Sequence, residues 1–160
     1  MDVVVEPLGD HLEFVPVVAG WHWREWGHTD PAGSLESWTA GLAAQAAADQ
    51  VPGTLIALVD GSPAGVVCLV ARDMPGYQPA ARLSPWLKGL YVIPQARRHG
   101  HGELLVRRCQ AWASSLGFDA LHLYTERSSA ARALYERMDW QVIHQAHYEG
   151  IDATVMRTFL

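Results

Sequence analysis

Hydrophobic positions along this chain switch repeatedly between the rhythm of strands and the rhythm of helices. Val3 to Val5 is a short β-branched run, after which Val15, Ala19, His22, Trp23 and Trp26 recur at intervals of a helical turn. Pro16 falls in the first turn of that segment, where a missing N–H costs least. The turn-rich stretch Gly27 to Gly33 leads to a second helix capped by Ser34. That helix is expected to bury Leu35, Trp38, Leu42 and Ala46, to run alanine-rich from Ala43 to Ala48, and to stop at Pro52 and Gly53.

Thr54 to Val59 and Ala64 to Ala71 are apolar throughout, as strands buried on both faces are. Asp60-Gly61-Ser62-Pro63 between them is a turn, so the pair predicts an antiparallel hairpin. A loop from Arg72 to Ser84 precedes the strand Trp86 to Ile93, which Pro94 stops. From Leu104 helical spacing returns at Leu105, Cys109, Trp112 and Leu116, with Gly117 as C-terminal cap and Ala120 to Thr125 as the next strand. Ser128 or Ser129 caps a short helix with the stripe Ala131, Leu134, Tyr135 and Met138. Strands near Gln141 to His147 and Ala153 to Phe159 complete the chain. The expected class is α/β, in the α+β sense of a mixed sheet: about seven strands and about four helices in one domain over residues 1–160.

Composition narrows the partners. With 49% hydrophobic residues among 160 there is material for a sizeable core, and a formal net charge of −5 argues against nucleic acid. Positive charge is nevertheless concentrated locally at Arg97, Arg98, Arg107 and Arg108, which suits a small polyanion. The start, Met-Asp-Val-Val-Val-Glu-Pro, lacks a basic segment followed by an apolar one, and no stretch has the length of a membrane span. A cytoplasmic protein with no membrane partner is expected. Cys68 and Cys109 sit in apolar segments without C-x-x-C spacing and read as buried thiols. His22, Glu25 and His28 are too sparse for a zinc site, so no metal is expected.

The chemistry concentrates where Leu90-Tyr91-Val92-Ile93 runs through Pro-Gln-Ala-Arg97-Arg98-His99-Gly100-His101-Gly102-Glu103 into a helix. The first turn of a helix carries N–H groups without partners and partial positive charge, and glycines let an anion approach the backbone. A P-loop would need Gly-Lys-Ser/Thr, and a dinucleotide fingerprint a small residue at Leu105; both fail. The spacing Arg97-x-x-Gly100-x-Gly102 resembles the Gln/Arg-x-x-Gly-x-Gly/Ala motif of the GNAT family of N-acetyltransferases. Further on, Ser128-Ser-Ala-Ala131-Arg-Ala-Leu134-Tyr135-Glu136-Arg137-Met-Asp139-Trp140 resembles that family's Asn-x-x-Ala-x-x-Leu-Tyr-Glu-Lys-x-Gly-Phe segment. Ser128 stands in place of Asn, Asp139 in place of Gly and Trp140 in place of Phe. Asp is one of the few residues other than Gly that visits the left-handed conformation such a position asks for.

The resemblance implies the GNAT acyl-CoA fold and acetyl transfer from acetyl-CoA, as co-substrate, to an amine. It implies that Leu90, Tyr91 and Val92 splay from the neighbouring strand to pair with the pantetheine arm, and that the Val92 N–H polarises the thioester. The Arg97 to Glu103 turn would hold the pyrophosphate, Ser128 would touch the cofactor, and Tyr135 would protonate the departing thiolate. A ping-pong route through Cys109 is disfavoured because that residue faces the core side of its helix.

The strand Trp86 to Ile93 has no carboxylate to serve as base, so a base must come from a loop or through water. Asp73, leaving a buried strand, is the first candidate. Glu25, Trp26, His28 and Asp30, between the first two helices, are candidates for the acceptor side, and His22 reads as a core or interface residue. The tryptophans are expected to form an aromatic wall between helix and sheet. The acceptor would be a small-molecule amine or a peptide N-terminus. Many members of the family are dimers, and tryptophans of the first two helices would suit a homodimer interface as readily as a pocket. A second reading keeps the fold and the cofactor and makes the chain a non-catalytic acyl-CoA-binding module.

Overall fold

A computed structural model describes residues 2–46 and 50–160. Among the described residues seven strands form one sheet in the order β1-β2-β3-β4-β5-β7-β6. The strands are β1 (Val3–Pro7), β2 (Gly53–Val59), β3 (Ser62–Val70), β4 (Trp86–Val92), β5 (Ala120–Glu126), β6 (Gln141–Tyr148) and β7 (Ile151–Phe159). The helices are α1 (Val15–Trp26), α2 (Leu35–Ala44), α3 (His101–Ser115) and α4 (Ala130–Arg137). The element order agrees with the order read from the sequence. Of the alanine-rich end expected for the second helix, Ala47 and Ala48 lie outside the described residues.

Every neighbouring pair is antiparallel except β4 and β5, which α3 joins by a crossover. The hairpin β2–β3 turns at Asp60 and Gly61, whose φ of 50° and 82° match the twist of the strands they join. Three apolar clusters hold the layers together. Leu105, Cys109 and Tyr135 of α3 and α4 pack on Leu69, Leu87, Leu121 and Met156 on one face of the sheet. Val15, Val18 and Trp21 of α1 with Leu42 of α2 cover Ile56, Leu58 and Val66 on the other. Met74 and Ala80 of the 71–85 loop cover Trp86, Ala153 and Val155.

Helix ends carry identifiable stops. Ser34 forms a reciprocal capping pair with Ser37 at the start of α2. At the end of α3, the Phe118 N–H donates to the Ala113 carbonyl and the Gly117 N–H to that of Ser114. The end of α4 repeats this pattern, with Asp139 at φ 64° in the place Gly117 takes.

Three side-chain expectations are corrected. The buried stripe of α1 is Val15, Val18, Ala19 and Trp21, with Trp23 and Trp26 half-buried; aromatic residues surround this helix, so spacing alone did not distinguish its inner face. Leu35 and Leu116, assigned to buried stripes, are 41% and 39% exposed, because each lies at a helix end beyond the reach of the sheet. The aromatic wall lies mostly between the two helices: Trp23 meets Trp38 edge to face at 5.4 Å, and of the tryptophans of α1 it is Trp21 that reaches the sheet, at Tyr91, 5.7 Å away. Among the described residues no helix is long and apolar enough to cross a membrane.

Candidate active site

The sheet opens between β4 and β5. Their register holds one pair, Trp86 with His122, beside a bond from the His122 N–H to the Pro85 carbonyl. Beyond it the two strands diverge. On its other edge β4 remains paired to β3, with Val66 opposite Tyr91 and Gly65 opposite Val92, and the Ile93 N–H donates to the Ala64 carbonyl at 2.9 Å. Alternation along a strand therefore turns the N–H groups of Leu90 and Val92 away from β3 and into the gap.

A bulge shapes the middle of β4. Cys68 pairs with Lys88 and Val66 with Tyr91, so Gly89 and Leu90 together face Val67. Gly89 takes φ 66°, and the imidazole of His22 on α1 lies against it, with Nε2 donating to the Gly89 carbonyl at 3.0 Å. Burial, opposed by that bond and aided by the Lys88 charge, holds His22 below the usual histidine range.

The turn after β4 gathers backbone N–H groups without acceptors among the described residues. Arg98 and Gly100 are left-handed, at φ 64° and 81°, and Gly100 is the N-cap of α3 without any side-chain cap. The N–H groups of Arg98, His99, Gly100, His101, Gly102 and Glu103 have no acceptor among the described residues; the first bond of α3 runs from Leu104 to Gly100. A Cβ at Gly102 would stand 3.4 Å from Leu134 of α4 and 4.0 Å from Val92, so the turn, the end of β4 and α4 converge.

Arg97, read from sequence as a free cation of this turn, is engaged elsewhere. Its Nε donates to the Val92 carbonyl at 2.9 Å and its guanidinium lies 5.6 Å from the Tyr91 ring centre, which ties the turn to the strand. His101 is buried beneath His99, the two rings stacked at 5.8 Å. The Glu103 carboxylate is paired with Arg107 along the helix, leaving its N–H as the group facing the turn.

Tyr135 points from α4 into the core shared with α3 and is 4% exposed. Its hydroxyl has no hydrogen-bond partner among the described residues, yet the oxygen is not among the sealed, unpartnered polar atoms. Burial, with Cys109 nearby, pushes the phenol well above its usual range, so it stays protonated. Ser129, rather than Ser128, caps α4, accepting from the Arg132 N–H. Ser128 is exposed and lines a shallow cavity of about 430 Å³ with Arg127, Ser129, Arg132 and Glu136.

The acceptor-side candidates divide. The Asp73 side chain is only 5% exposed, and its Oδ1 accepts from the Met74 N–H at 2.8 Å and from Lys88 at 3.3 Å. Asp30 holds the Trp38 indole N–H at 2.8 Å. Glu25 and His28 are exposed, and Trp26 is half-buried 5.4 Å from the His22 ring. Sequence spacing did not single out His22 over Gly89; a strand glycine without an obvious turn was the one available signal. No group of three or more His, Cys, Asp or Glu is arranged to hold a metal ion among the described residues.

Comparison with known proteins shows the family and the fold. The family model of the acetyltransferase (GNAT) family matches residues 15–140. No curated protein matches the chain in sequence. Among solved structures, yncA of Salmonella typhimurium, with its cofactor acetyl-CoA, is similar at a TM-score of 0.74 and 16% identity, over 99% of this chain and 94% of that one. An N-acetyltransferase from Kribbella flavida is similar at 0.73 and 20%, over 99% and 98%. The paia N-acetyltransferase of Thermoplasma acidophilum, in complex with coenzyme A, is similar at 0.68 and 17%, over the whole of both chains.

Proposed function

The chain belongs to the acetyltransferase (GNAT) family, whose reaction is acetyl transfer from acetyl-CoA, and from that premise we propose that it acetylates a primary amine by direct attack on the thioester. The acceptor is a small molecule or a peptide N-terminus, and Tyr135 is the general acid. The observation that carries the reading is a line of donors without partners among the described residues, interrupted where the Ile93, Ala96 and Arg97 N–H groups are bonded. Leu90 and Val92 offer N–H groups along the open edge of β4, and the groups from Arg98 to Glu103 follow around the turn.

Each part of that line suits a part of acetyl-CoA. The pantetheine arm carries amides, which pair with a strand edge as another strand would. The pyrophosphate suits the N-terminus of α3, where the macrodipole and free N–H groups favour negative charge. Ser128, on the cavity beside α4, is assigned a contact with the cofactor. The Val92 N–H, turned into the gap, would serve the thioester oxygen, where negative charge develops during attack; one such donor is typically worth about 3 kcal/mol of transition-state stabilisation.

Tyr135 supplies the proton for the thiolate. A phenol kept protonated by burial, with its oxygen reachable, can donate as the C–S bond breaks. The amine must attack as a neutral species, so the acceptor side has to take a proton first.

Two measurements test the reading. Calorimetry with acetyl-CoA checks the donor site. Thiol release with acetyl-CoA across amino acids, polyamines, aminoglycosides and short peptides checks the transfer. Binding without thiol release across the whole panel would replace this reading with that of an acyl-CoA-binding module.

A further inference from the structure

We propose that His22 is the general base of the transfer, taking a proton from the acceptor ammonium through Nδ1; the assignment rests on the acetyl-transfer reading above. The geometry fixes the tautomer. A carbonyl only accepts, so the bond to Gly89 requires the hydrogen on Nε2 and leaves the lone pair on Nδ1. Nδ1 has no protein partner among the described residues and is not sealed from solvent.

Gly89 explains how a helix residue comes to stand at the strand. A Cβ built there would lie 3.1 Å from His22 Nε2 and 3.2 Å from Cε1, so the imidazole fills the space that a side chain at position 89 would claim. Gly89 immediately precedes Leu90, the second residue of the bulge, whose N–H turns into the gap. The strand itself, Trp86 to Val92, carries no carboxylate. A base delivered from α1 thus stands against the part of β4 beside which the proposed thioester would lie.

The surroundings keep His22 neutral and ready to accept. Lys88 on β4 carries positive charge nearby, itself held by Asp73. Cys68 on β3 lies under the bulge, its Sγ 3.6 Å from the same built Cβ, and burial raises its thiol, so it brings no charge. Trp26, one turn along α1, covers another side of the ring. The carboxylates weighed from sequence lack this freedom. Asp73 accepts from both Lys88 and the Met74 N–H, Asp30 is committed to Trp38, and Glu25 is exposed.

The protons balance. His22 Nδ1 takes one proton from R–NH₃⁺ and passes it to bulk water. The neutral amine nitrogen forms the C–N bond to the acetyl carbon, the C–S bond breaks, and Tyr135 protonates the thiolate. The second ammonium proton, lost from nitrogen after C–N bond formation, restores the Tyr135 hydroxyl through solvent. The products are the N-acetyl amine, free CoA thiol and one released proton.

The decisive variant is His22→Gln, which retains an amide N–H for the Gly89 carbonyl and has no basic atom. Thiol release is followed as a function of pH with putrescine, kanamycin and the peptide Met-Ala-Ser, for wild type and variant. Acetyl-CoA affinity is measured by calorimetry, and ¹⁵N–¹H correlation of the imidazoles is recorded on the wild-type protein alone. The expected result is a loss of about 100-fold in kcat/KM at pH 7.5 with loss of the wild-type acid limb, acetyl-CoA affinity within twofold, and an Nε2–H tautomer at His22. Turnover of the variant within threefold of wild type, or an Nδ1–H tautomer, overturns the assignment while leaving the enzyme reading intact. Wild-type protein that binds acetyl-CoA but releases no thiol with all three acceptors overturns the enzyme reading, and the assignment with it.

Discussion

Tyr135 and Trp140 meet across the C-terminus of α4: their rings lie 5.6 Å apart, and the Tyr135 carbonyl accepts the Trp140 N–H at 3.0 Å. The helix end and the phenol are therefore one unit. Asp139, between them in the left-handed conformation, reverses the chain so that Trp140 folds back onto the residue proposed to act as acid.

Removing the Tyr135 hydroxyl tests that role with little disturbance to packing. Tyr135→Phe is expected to lower thiol release at least tenfold while acetyl-CoA affinity stays within twofold, since the ring and its contacts remain. Parallel initial-rate and calorimetric measurements separate the two effects. Unchanged turnover would remove Tyr135 from the chemistry.

Asp139 holds φ 64° at a residue type that tolerates this conformation less well than glycine. Asp139→Gly is expected to raise the unfolding free energy by about 0.5 kcal/mol, and Asp139→Val to lower it by more than about 1 kcal/mol, in urea titrations. Equal stability of the two variants would show that the strain lies elsewhere.

At Gly100, φ 81° and an open surround mean that Ala meets no clash, only backbone strain. Gly100→Ala is expected to cost about 1 kcal/mol of stability and to weaken acetyl-CoA binding severalfold by tilting the adjacent N–H groups. Dephospho-CoA and CoA should lose equally, because both keep the pyrophosphate. A variant that binds CoA as wild type does would separate this turn from the anion.

Acid should destabilise the fold through His22 and His122. Both sit below the ordinary value of 6.5, each chiefly by burial. The unfolded chain then binds more protons between the folded values and 6.5, so their contribution is complete above that window and lost as pH falls through it. His11 has the opposite sign: the Glu6 carboxylate at 2.7 Å raises it, so its contribution is complete below 6.5 and fades as pH rises through the folded value. Urea unfolding at closely spaced pH values should show His22→Gln losing less stability than wild type on acidification, and His11→Gln losing the opposing trend at higher pH.

Both cysteines are buried, and burial raises both thiols, Cys68 at the bulge and Cys109 in the core beneath α3. Iodoacetamide should leave the native protein unmodified over hours and alkylate both residues in urea. Rapid native labelling detected by mass spectrometry would contradict the packing.

The glycine turn before α3 and the element order were legible because proline and glycine punctuate them: Pro94, Gly100, Gly102 and Gly117 each mark a change of rhythm that the backbone obeys. The two-motif spacing carried the family. What spacing missed is contact at long separation. His22 and Gly89 are 67 positions apart, and a helix rich in aromatic residues gives no sign of which one lies over a strand glycine. The divergence of β4 from β5 is likewise invisible in a strand's own residues, since it depends on where its partner stops pairing. Arg97 shows a third limit: its charge was evident, but a carbonyl five residues earlier holds its side chain.

The single pair between Trp86 and His122 has a consequence for how this chain can change over time. Beyond that pair the backbone of the gap takes no part in joining the two halves of the sheet, a task left to the crossover helix and the apolar layers above and below, to which Leu90 and Val92 lend their side chains. Substitutions there break no ladder, so the side chains of the gap can change at little cost to the pairing of the sheet. The stability threshold that constrains the core bears lightly on the hydrogen bonds of the cleft, whose lining is free to drift.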